Sequence, residues 1–132
     1  MAGAPSPRPS GLLLRFWLPL LAYIAMIFTL SAQPNLHPPL HFQNSDKVIH
    51  MCEYGVLGLL LYRLVRAQGW ARRRDVAALI VLGAGMAIGA LDERFQFYIP
   101  GRSCDLFDWL ADSLGVGLAQ VISLAWTEWR EG

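Results

Sequence analysis

The chain has 132 residues, of which 55% are hydrophobic and only 16% are charged, and its mean hydropathy is positive. A soluble domain of this length would carry more charge and shorter apolar runs, so the composition indicates a membrane protein. The net charge of +1 and the lack of a basic stripe in the sequence argue against nucleic acid as a partner.

The N-terminal residues 1–11 are rich in proline and small side chains, so we expect a disordered tail with Arg8 and Arg15 near the membrane. Residues 16–32 are apolar and predict the first transmembrane helix, with Pro19 early enough to be tolerated or to cause a mild kink. A cleaved signal peptide is the alternative, because Arg15 precedes an apolar run that ends in small residues. The run is long for a signal sequence, which favours an uncleaved anchor.

Residues 33–45 hold three prolines and cannot be a helix interior. We expect an outside loop in which His37 and His41 are solvated rather than ligands. The Ser45–Asp46 pair is the expected N-cap of a second helix over residues 47–65. An arginine-rich turn follows this helix.

The third and fourth helices are expected over residues 75–97 and 105–126, joined by a turn at Pro100-Gly101. Gly85 and Gly89 have the G-x-x-x-G spacing that lets helices approach closely. This glycine seam is a candidate surface for pairing with a second copy of the chain, and glycines elsewhere in the helices are interpreted as packing positions.

Basic residues fall mainly on one side of the expected helices, and acidic residues on the other. Because basic loops stay in the cytoplasm, both termini are predicted to be cytoplasmic. The fold class is therefore an all-α polytopic membrane bundle of four transmembrane helices, forming one domain over residues 1–132. The basic residues on the cytoplasmic side are Arg8, Arg15, Arg63, Arg66, Arg72, Arg73, Arg74 and Arg130, against Lys47, Arg94 and Arg102 on the outer side.

Polar residues recur at helical spacing near the outer ends of three helices. Charged groups inside a membrane are costly unless they face a bundle interior or bind something, so we expect one shared, outward-opening pocket. Lys47 is expected to pair with Asp46, and Arg102 with Asp105 or Asp108. The three groups that define the pocket are Asp46, His50 and Glu53; Asp92, Glu93 and Gln96; and Asp105, Asp108 and Asp112.

Two kinds of chemistry fit this set. In the first, His50 is a general acid or base oriented by Glu53 or Asp108, and Arg102 holds an anionic group such as a phosphate. In the second, His50 and the neighbouring carboxylates bind a divalent cation, although no established metal spacing is present and the cofactor is unknown. A salt-bridge network that only closes the helix ends is the structural alternative.

Cys52 and Cys104 both lie toward the outer side, so a disulfide is chemically allowed in an oxidising compartment. Cys52 lies inside a helix and can point elsewhere, which argues against a bridge between the two residues. The sequence leaves this pairing open.

The order and spacing of these motifs resemble the VanZ-like family of small bacterial membrane proteins over about residues 45–120. Two positions depart from the family pattern: Met51 stands where an aromatic residue is usual, and Asp112 stands where asparagine is common. The matching motifs are D-K-x-x-H-x-x-x-Y from Asp46 to Tyr54, D-E-x-x-Q from Asp92 to Gln96, P-G-R from Pro100 to Arg102, and D-x-x-D-x-x-x-D-x-x-G from Asp105 to Gly115.

The resemblance implies a multi-pass protein of the bacterial cytoplasmic membrane, in a family named for a member linked to low-level teicoplanin resistance, and it supplies no mechanism. We predict a site that acts on a lipid-linked or anionic envelope molecule, with membrane lipids as partners. A non-catalytic binding protein that limits ligand access is the alternative; an ion or proton pathway is disfavoured, because the cytoplasmic half offers no matching polar relay. The predicted catalytic residues are His50, Glu53, Asp92, Glu93 and Asp108, and the predicted substrate-binding residues are Lys47, Tyr54, Gln96, Arg102, Asp105 and Asp112.

Overall fold

The computed structural model describes residues 9–35 and 42–131, and within these ranges the regular structure is entirely helical. Four helices are long and apolar enough to cross a membrane, which confirms the predicted all-α, four-span architecture. We number them α1 to α4. The helix α1 comprises Pro9–Leu12, a wide turn over Leu13–Trp17 and Leu18–Ser31, and the others are α2 (Ser45–Ala67), α3 (Arg74–Gln96) and α4 (Leu106–Glu131).

The first helix begins earlier than predicted. Pro9–Leu12 is already helical, although residues up to 11 were expected to form a tail; residues 1–8, including Arg8, lie outside the described chain. A proline is well suited to a first helical position, and the apolar run from Leu12 onward continues the helix. At the wide turn the Leu18 N–H bonds to the Leu13 carbonyl. This local widening comes just before Pro19, which has no N–H to donate back to Arg15.

The start of α2 also differs from the prediction. Its N-cap residue is Asn44, in a left-handed conformation with φ of 61°, rather than the Ser45–Asp46 pair. Asparagine tolerates this region better than most residues, because its short polar side chain can bond locally. Ser45 is buried as the first helical residue. His37 and His41, predicted to be solvated, lie in the loop segment outside the described residues.

The end of α4 lies beyond the expected Trp126, since the helix continues to Glu131. At the same end of the bundle, Arg66 ties down the turn between α2 and α3 by donating to the Ala71 and Arg72 carbonyls at 2.9 and 2.6 Å. These bonds satisfy carbonyls that the turn would otherwise leave open. The basic turn is therefore an ordered part of the fold.

Glycines set the distance between α2 and α4. A Cβ added at Gly115 would meet the Met51 carbonyl oxygen on α2, and one added at Gly58 would lie 2.9 Å from the Ala119 Cβ. Small residues at such positions let two backbones approach closely, which is how helices gain contact in a membrane. The close approach brings the polar faces at the starts of α2 and α4 together.

The predicted seam on α3 is occupied within the chain. A Cβ at Gly85 would meet the Val116 side chain, and one at Gly89 would lie 3.3 Å from both Trp109 and Asp112. The seam is therefore used by α4 and is not open to a second copy of the chain. Pairing between copies stays a prediction, and it would need another surface.

The helix α1 packs on the side of this three-helix core. Its Tyr23 hydroxyl donates to the Glu53 carbonyl at 3.0 Å, and its Phe28 ring lies 5.7 Å from the Phe95 ring. Large apolar side chains cover the outside of the bundle, including Leu79 and Val121. Such an apolar exterior is what a lipid-facing surface requires.

Candidate functional site

The polar groups of three helices meet at one end of the bundle, which we call the acidic end. The starts of α2 and α4 and the end of α3 lie there, so the polar residues of the three helices lie within about 14 Å of these helix ends at 1.5 Å per residue. This is the arrangement that the helical spacing predicted. We define the polar cluster as Lys47, His50, Tyr54, Asp92, Glu93, Gln96, Asp105, Asp108 and Asp112.

Lys47 neutralises the outer part of the cluster. Its Nζ lies 3.0 Å from Asp46, 3.1 Å from Asp105 and 2.5 Å from Asp108. The predicted pair with Asp46 is present, but the predicted partner of Asp105 and Asp108 was Arg102, and Lys47 takes that place. A lysine on α2 can reach α4 because the glycine contacts bring the two helices close together.

Arg102 lies in the turn between α3 and α4. Its backbone N–H bonds to the Ile99 carbonyl at 3.1 Å, and its side-chain Nε is buried without a hydrogen-bond partner among the described residues. Gly101 beside it has φ of 77°, a conformation that favours glycine, and a Cβ there would meet the Asn35 side chain. The P-G-R motif is thus packed against the first loop, and the Nε of its arginine has no hydrogen-bond partner among the described residues.

Asp105 joins the end of α3 to the start of α4. Its carboxylate accepts from the Phe107 N–H at 2.8 Å, and its own N–H donates to Glu93 Oε2 at 2.9 Å. The bond from Phe107, followed by the contact with Lys47, lowers the pKa of Asp105 below its ordinary value of 3.8. Asp105 is therefore the N-cap of α4 and holds Glu93 in place, and its predicted role in substrate binding stays a prediction.

His50 bridges two carboxylates of α4. Its Nδ1 lies 2.8 Å from Asp112 Oδ1, and its Nε2 lies 3.8 Å from Asp108 Oδ2. The contact with Asp112 is a hydrogen bond, whereas the distance to Asp108 is too long for one. The expected orienting residues were Glu53 or Asp108, and the structure gives the main contact to Asp112. An imidazole held by a carboxylate at one nitrogen can exchange a proton at the other.

A second group of polar residues surrounds Asp92 on the third helix. The Tyr54 hydroxyl donates to Asp92 Oδ2 at 3.4 Å, and the Gln96 amide reaches both Asp92 Oδ2 at 3.3 Å and Ser31 Oγ at 3.4 Å. Tyr54 is fully buried and Gln96 is nearly so. Both hydrogen-bond to Asp92, and their predicted role in substrate binding stays a prediction.

Three inner carboxylates remain incompletely satisfied. Asp92 Oδ1, Glu93 Oε1 and Asp112 Oδ2 are buried without hydrogen-bond partners among the described residues. Buried acceptors without donors are costly, and buried carboxylates more so. The donor atoms of His50, Glu93 and Asp112 also lie within 4.8 Å of one another, so this group could hold a metal ion.

Glu53 borders the polar cluster but makes no hydrogen bond to it in the described part of the chain. It lines a groove between α1 and α2 together with Tyr23, Met26 and Val56. Three residues along a helix correspond to a rotation of 300°, so Glu53 presents a face about 60° away from His50. No hydrogen bond or ion pair joins Glu53 to His50 in the described part of the chain, and the predicted orienting role is not supported.

The two cysteines are free thiols, and both Cys52 and Cys104 are exposed. Cys52 faces outward on α2, while Cys104 lies in the loop before α4. The two residues are not bridged, in line with the position of Cys52 inside a helix.

Sequence reasoning missed several polar residues that the fold buries. Ser31, interpreted only as a small residue at a helix end, reaches Gln96 in the cluster. Toward the opposite, basic end, Gln120 donates to the Gly58 and Val116 carbonyls, and the Tyr62 hydroxyl is buried without a partner among the described residues. A glutamine inside an otherwise apolar run was the available signal for this second set.

The chain is similar to a known protein family and to a curated yeast protein. A family model described as VanZ/LLP1 matches residues 16–127. An uncharacterized protein of Schizosaccharomyces pombe is 29% identical over 110 residues, which cover 83% of this chain and 65% of that protein. The chain thus spans slightly less than two thirds of this relative's length. No solved structure matches.

Proposed function

The chain belongs to the VanZ/LLP1 family, and from the geometry of its polar cluster we propose that it is a multi-pass membrane enzyme that performs acid–base chemistry on a lipid-linked, phosphate-bearing molecule. His50 is the acid or base in this proposal. The observation that supports it most is the bond from His50 to Asp112 at 2.8 Å, on an imidazole that keeps a second nitrogen free of hydrogen bonds to described residues. The His50 side chain is 14% exposed, so a substrate at the acidic end can reach it.

The roles of the other residues follow from their contacts. Asp112 fixes the imidazole ring through Nδ1, so that Nε2 is the nitrogen that exchanges a proton with the substrate. Lys47 already faces three carboxylates and is not available to a phosphate. Arg102, whose Nε has no partner among the described residues, is the residue that holds the anionic group.

A substrate with an apolar chain suits the surroundings of the cluster. The groove of about 420 Å³ between α1 and α2 is lined mainly by apolar residues, among them Met26, Val48 and Val56. Glu53 lies in this groove only three residues after His50. An acyl or isoprenoid chain in the groove would place its polar head beside the cluster.

We place the acidic end on the outer face of a bacterial cytoplasmic membrane, with both termini in the cytoplasm. The arginines of the basic end support this orientation, since Arg72 to Arg74 form a positively charged turn. The link to the cell envelope, and to glycopeptides such as teicoplanin, rests on the VanZ-like motifs. Because the relative described above is a yeast protein, the kind of membrane is part of the proposal.

The proposal is tested with the full chain reconstituted in nanodiscs made from the host's total polar lipid extract. Mass spectrometry follows any change in the head groups over time. We expect turnover that falls by about 100-fold or more in His50→Gln, the usual contribution of a general acid or base, and a raised KM in Arg102→Gln. Arg73→Gln is the matched control, because this arginine pairs with Asp75 at the start of α3, at the opposite end of the bundle. Full activity of a folded His50→Gln protein, or no turnover by the unaltered chain, would overturn the proposal.

A non-catalytic binding protein is the second candidate, and the Lys47 network favours it. Three carboxylates around one lysine form a closed arrangement that needs no substrate. In this alternative, Asp112→Asn weakens capture of a ligand from the lipid extract, and no head group is ever converted. Ion passage is less well supported, because about 12 Å of mostly apolar helix separates Asp112 from Gln120 at 1.5 Å per residue.

A further inference from the structure

The inner carboxylates of the polar cluster carry more negative charge than the described residues balance. Glu93 is 3% exposed and Asp112 is fully buried. Glu93 Oε2 accepts only a backbone N–H from Asp105, and Asp112 Oδ1 is bonded to His50. The other oxygen of each carboxylate is buried and has no partner among the described residues. Two buried carboxylates that share one imidazole are expensive to maintain without a further positive charge.

The geometry of these groups supplies what a metal ion needs. One donor atom from each of His50, Glu93 and Asp112 lies within 4.8 Å of the other two. Donor atoms around a bound divalent cation are about 3 to 4 Å apart, given bonds of about 2.0 to 2.2 Å. A contraction of about 1 Å by side-chain rotation would close the site. The donors come from three helices, so binding would also fix the helices relative to one another.

We propose that His50, Glu93 and Asp112 bind one divalent transition-metal ion of the Mn²⁺ or Zn²⁺ class. One imidazole and two carboxylates form a mixed nitrogen and oxygen donor set, which suits these ions better than the all-oxygen set that Mg²⁺ and Ca²⁺ favour. Buried oxygens without partners on Glu93 and Asp112 are the observation that distinguishes this group from an ordinary acidic surface patch. Asp92, whose Oδ1 is also without a partner among the described residues, adds negative charge next to Glu93.

The test for metal binding is independent of the proposed enzymatic reaction, because binding can be measured without any turnover of a substrate. The full chain in detergent is stripped with EDTA, dialysed and titrated with MnCl₂, and free Mn²⁺ is followed by its room-temperature EPR signal. We expect one saturable ion per chain. Glu93→Gln and Asp112→Asn should each weaken binding by more than about 10-fold, since changes even to supporting residues commonly cost 10 to 100-fold.

Two controls separate this site from general attraction to acids. Asp46→Asn removes an exposed carboxylate at the same end, and Asp75→Asn removes one at the opposite end; both should leave the affinity unchanged. Electron spin echo measurements on bound Mn²⁺ should show coupling to an imidazole nitrogen, which is lost in His50→Gln. Absence of saturable binding by the unaltered chain, or bound Mn²⁺ without that nitrogen coupling, would overturn the site. Neither result would bear on whether His50 is needed for lipid turnover.

Discussion

Gly115 on α4 lies directly against the backbone carbonyl of Met51 on α2, so closely that a Cβ at position 115 would overlap the carbonyl oxygen. The same Cβ would lie 3.0 Å from the Gly55 nitrogen. This contact joins two backbones, and neither can move aside as a flexible side chain could. It brings His50 and Asp112 within hydrogen-bond distance, because His50 directly precedes Met51 and Asp112 lies about one turn before Gly115.

We therefore expect Gly115→Ala to destabilise the bundle by about 1 to 3 kcal/mol, the usual range for overpacking a tight contact. Gly83→Ala is the matched control, because a Cβ there meets nothing within 4 Å on an exposed face of α3. That change should leave stability unchanged or raise it by up to about 1 kcal/mol through helix propensity. Thermal unfolding in detergent measures both, and equal behaviour of the two variants would refute the close contact.

Lys47→Met should destabilise the acidic end. The substitution leaves Asp46, Asp105 and Asp108 facing one another without their shared cation. This network is half-buried, so its contribution should lie between those of surface and buried ion pairs. We expect Lys47→Met to lower the free energy of unfolding by about 1 to 2 kcal/mol. Arg73→Gln breaks a pair whose side chains are 76% and 60% exposed, so it should lower the free energy of unfolding by less than Lys47→Met does. Equal losses for the two variants would show that the Lys47 network is not formed.

Two tyrosine hydroxyls offer a direct comparison of buried polar groups. The Tyr54 hydroxyl donates to Asp92, whereas the Tyr62 hydroxyl is buried without a partner among the described residues. Tyr54→Phe should lower the free energy of unfolding by about 1 kcal/mol or more, because it removes one hydrogen-bond donor from the buried carboxylate of Asp92. Tyr62→Phe should be neutral or stabilising. Unfolding of both variants in the same detergent measures which one loses more stability. A larger loss for Tyr62→Phe would contradict the hydrogen bond between Tyr54 and Asp92.

The proposed orientation predicts which loops can be reached from outside the cell. In a Cys52→Ser background, a membrane-impermeant maleimide should label Cys104 in intact cells, because this residue lies exposed in the loop at the acidic end. A Gly69→Cys change in a Cys52→Ser and Cys104→Ser background places a thiol in the opposite turn, where the structure has open space. That thiol should react only after the membrane is permeabilised. The reverse pattern would invert the orientation.

Helical periodicity was sufficient to predict most of the polar cluster. The spacing of Asp105, Asp108 and Asp112 predicted one face of α4, and all three residues do point toward α2 or α3. Glu53, three residues after His50, also lines the groove between α1 and α2, since this spacing leaves a 60° offset between the two side chains. Periodicity within one helix therefore predicts a polar face only approximately.

Contacts between distant segments could not be predicted in the same way. Arg102 lies close to Asp105 in sequence and was expected to pair with Asp105 or Asp108. Lys47 pairs with these two aspartates instead, because the glycine contacts bring α2 and α4 together. Ser31 enters the cluster only because α1 packs beside the end of α3. Each of these outcomes depends on how whole helices are arranged, which local spacing does not encode.

The most direct test of the account is the distance between His50 and Asp112 in a lipid bilayer. Solid-state NMR on protein with ¹⁵N-labelled histidine and ¹³C-labelled aspartate measures the coupling between the Nδ1 of His50 and a carboxyl carbon. We expect a coupling that corresponds to a direct hydrogen bond, present in the unaltered chain and in Asp105→Asn, and lost in both His50→Gln and Asp112→Asn. A His50 Nδ1 with no aspartate carboxyl carbon nearby, or a coupling that survives in Asp112→Asn, would contradict the proposed centre.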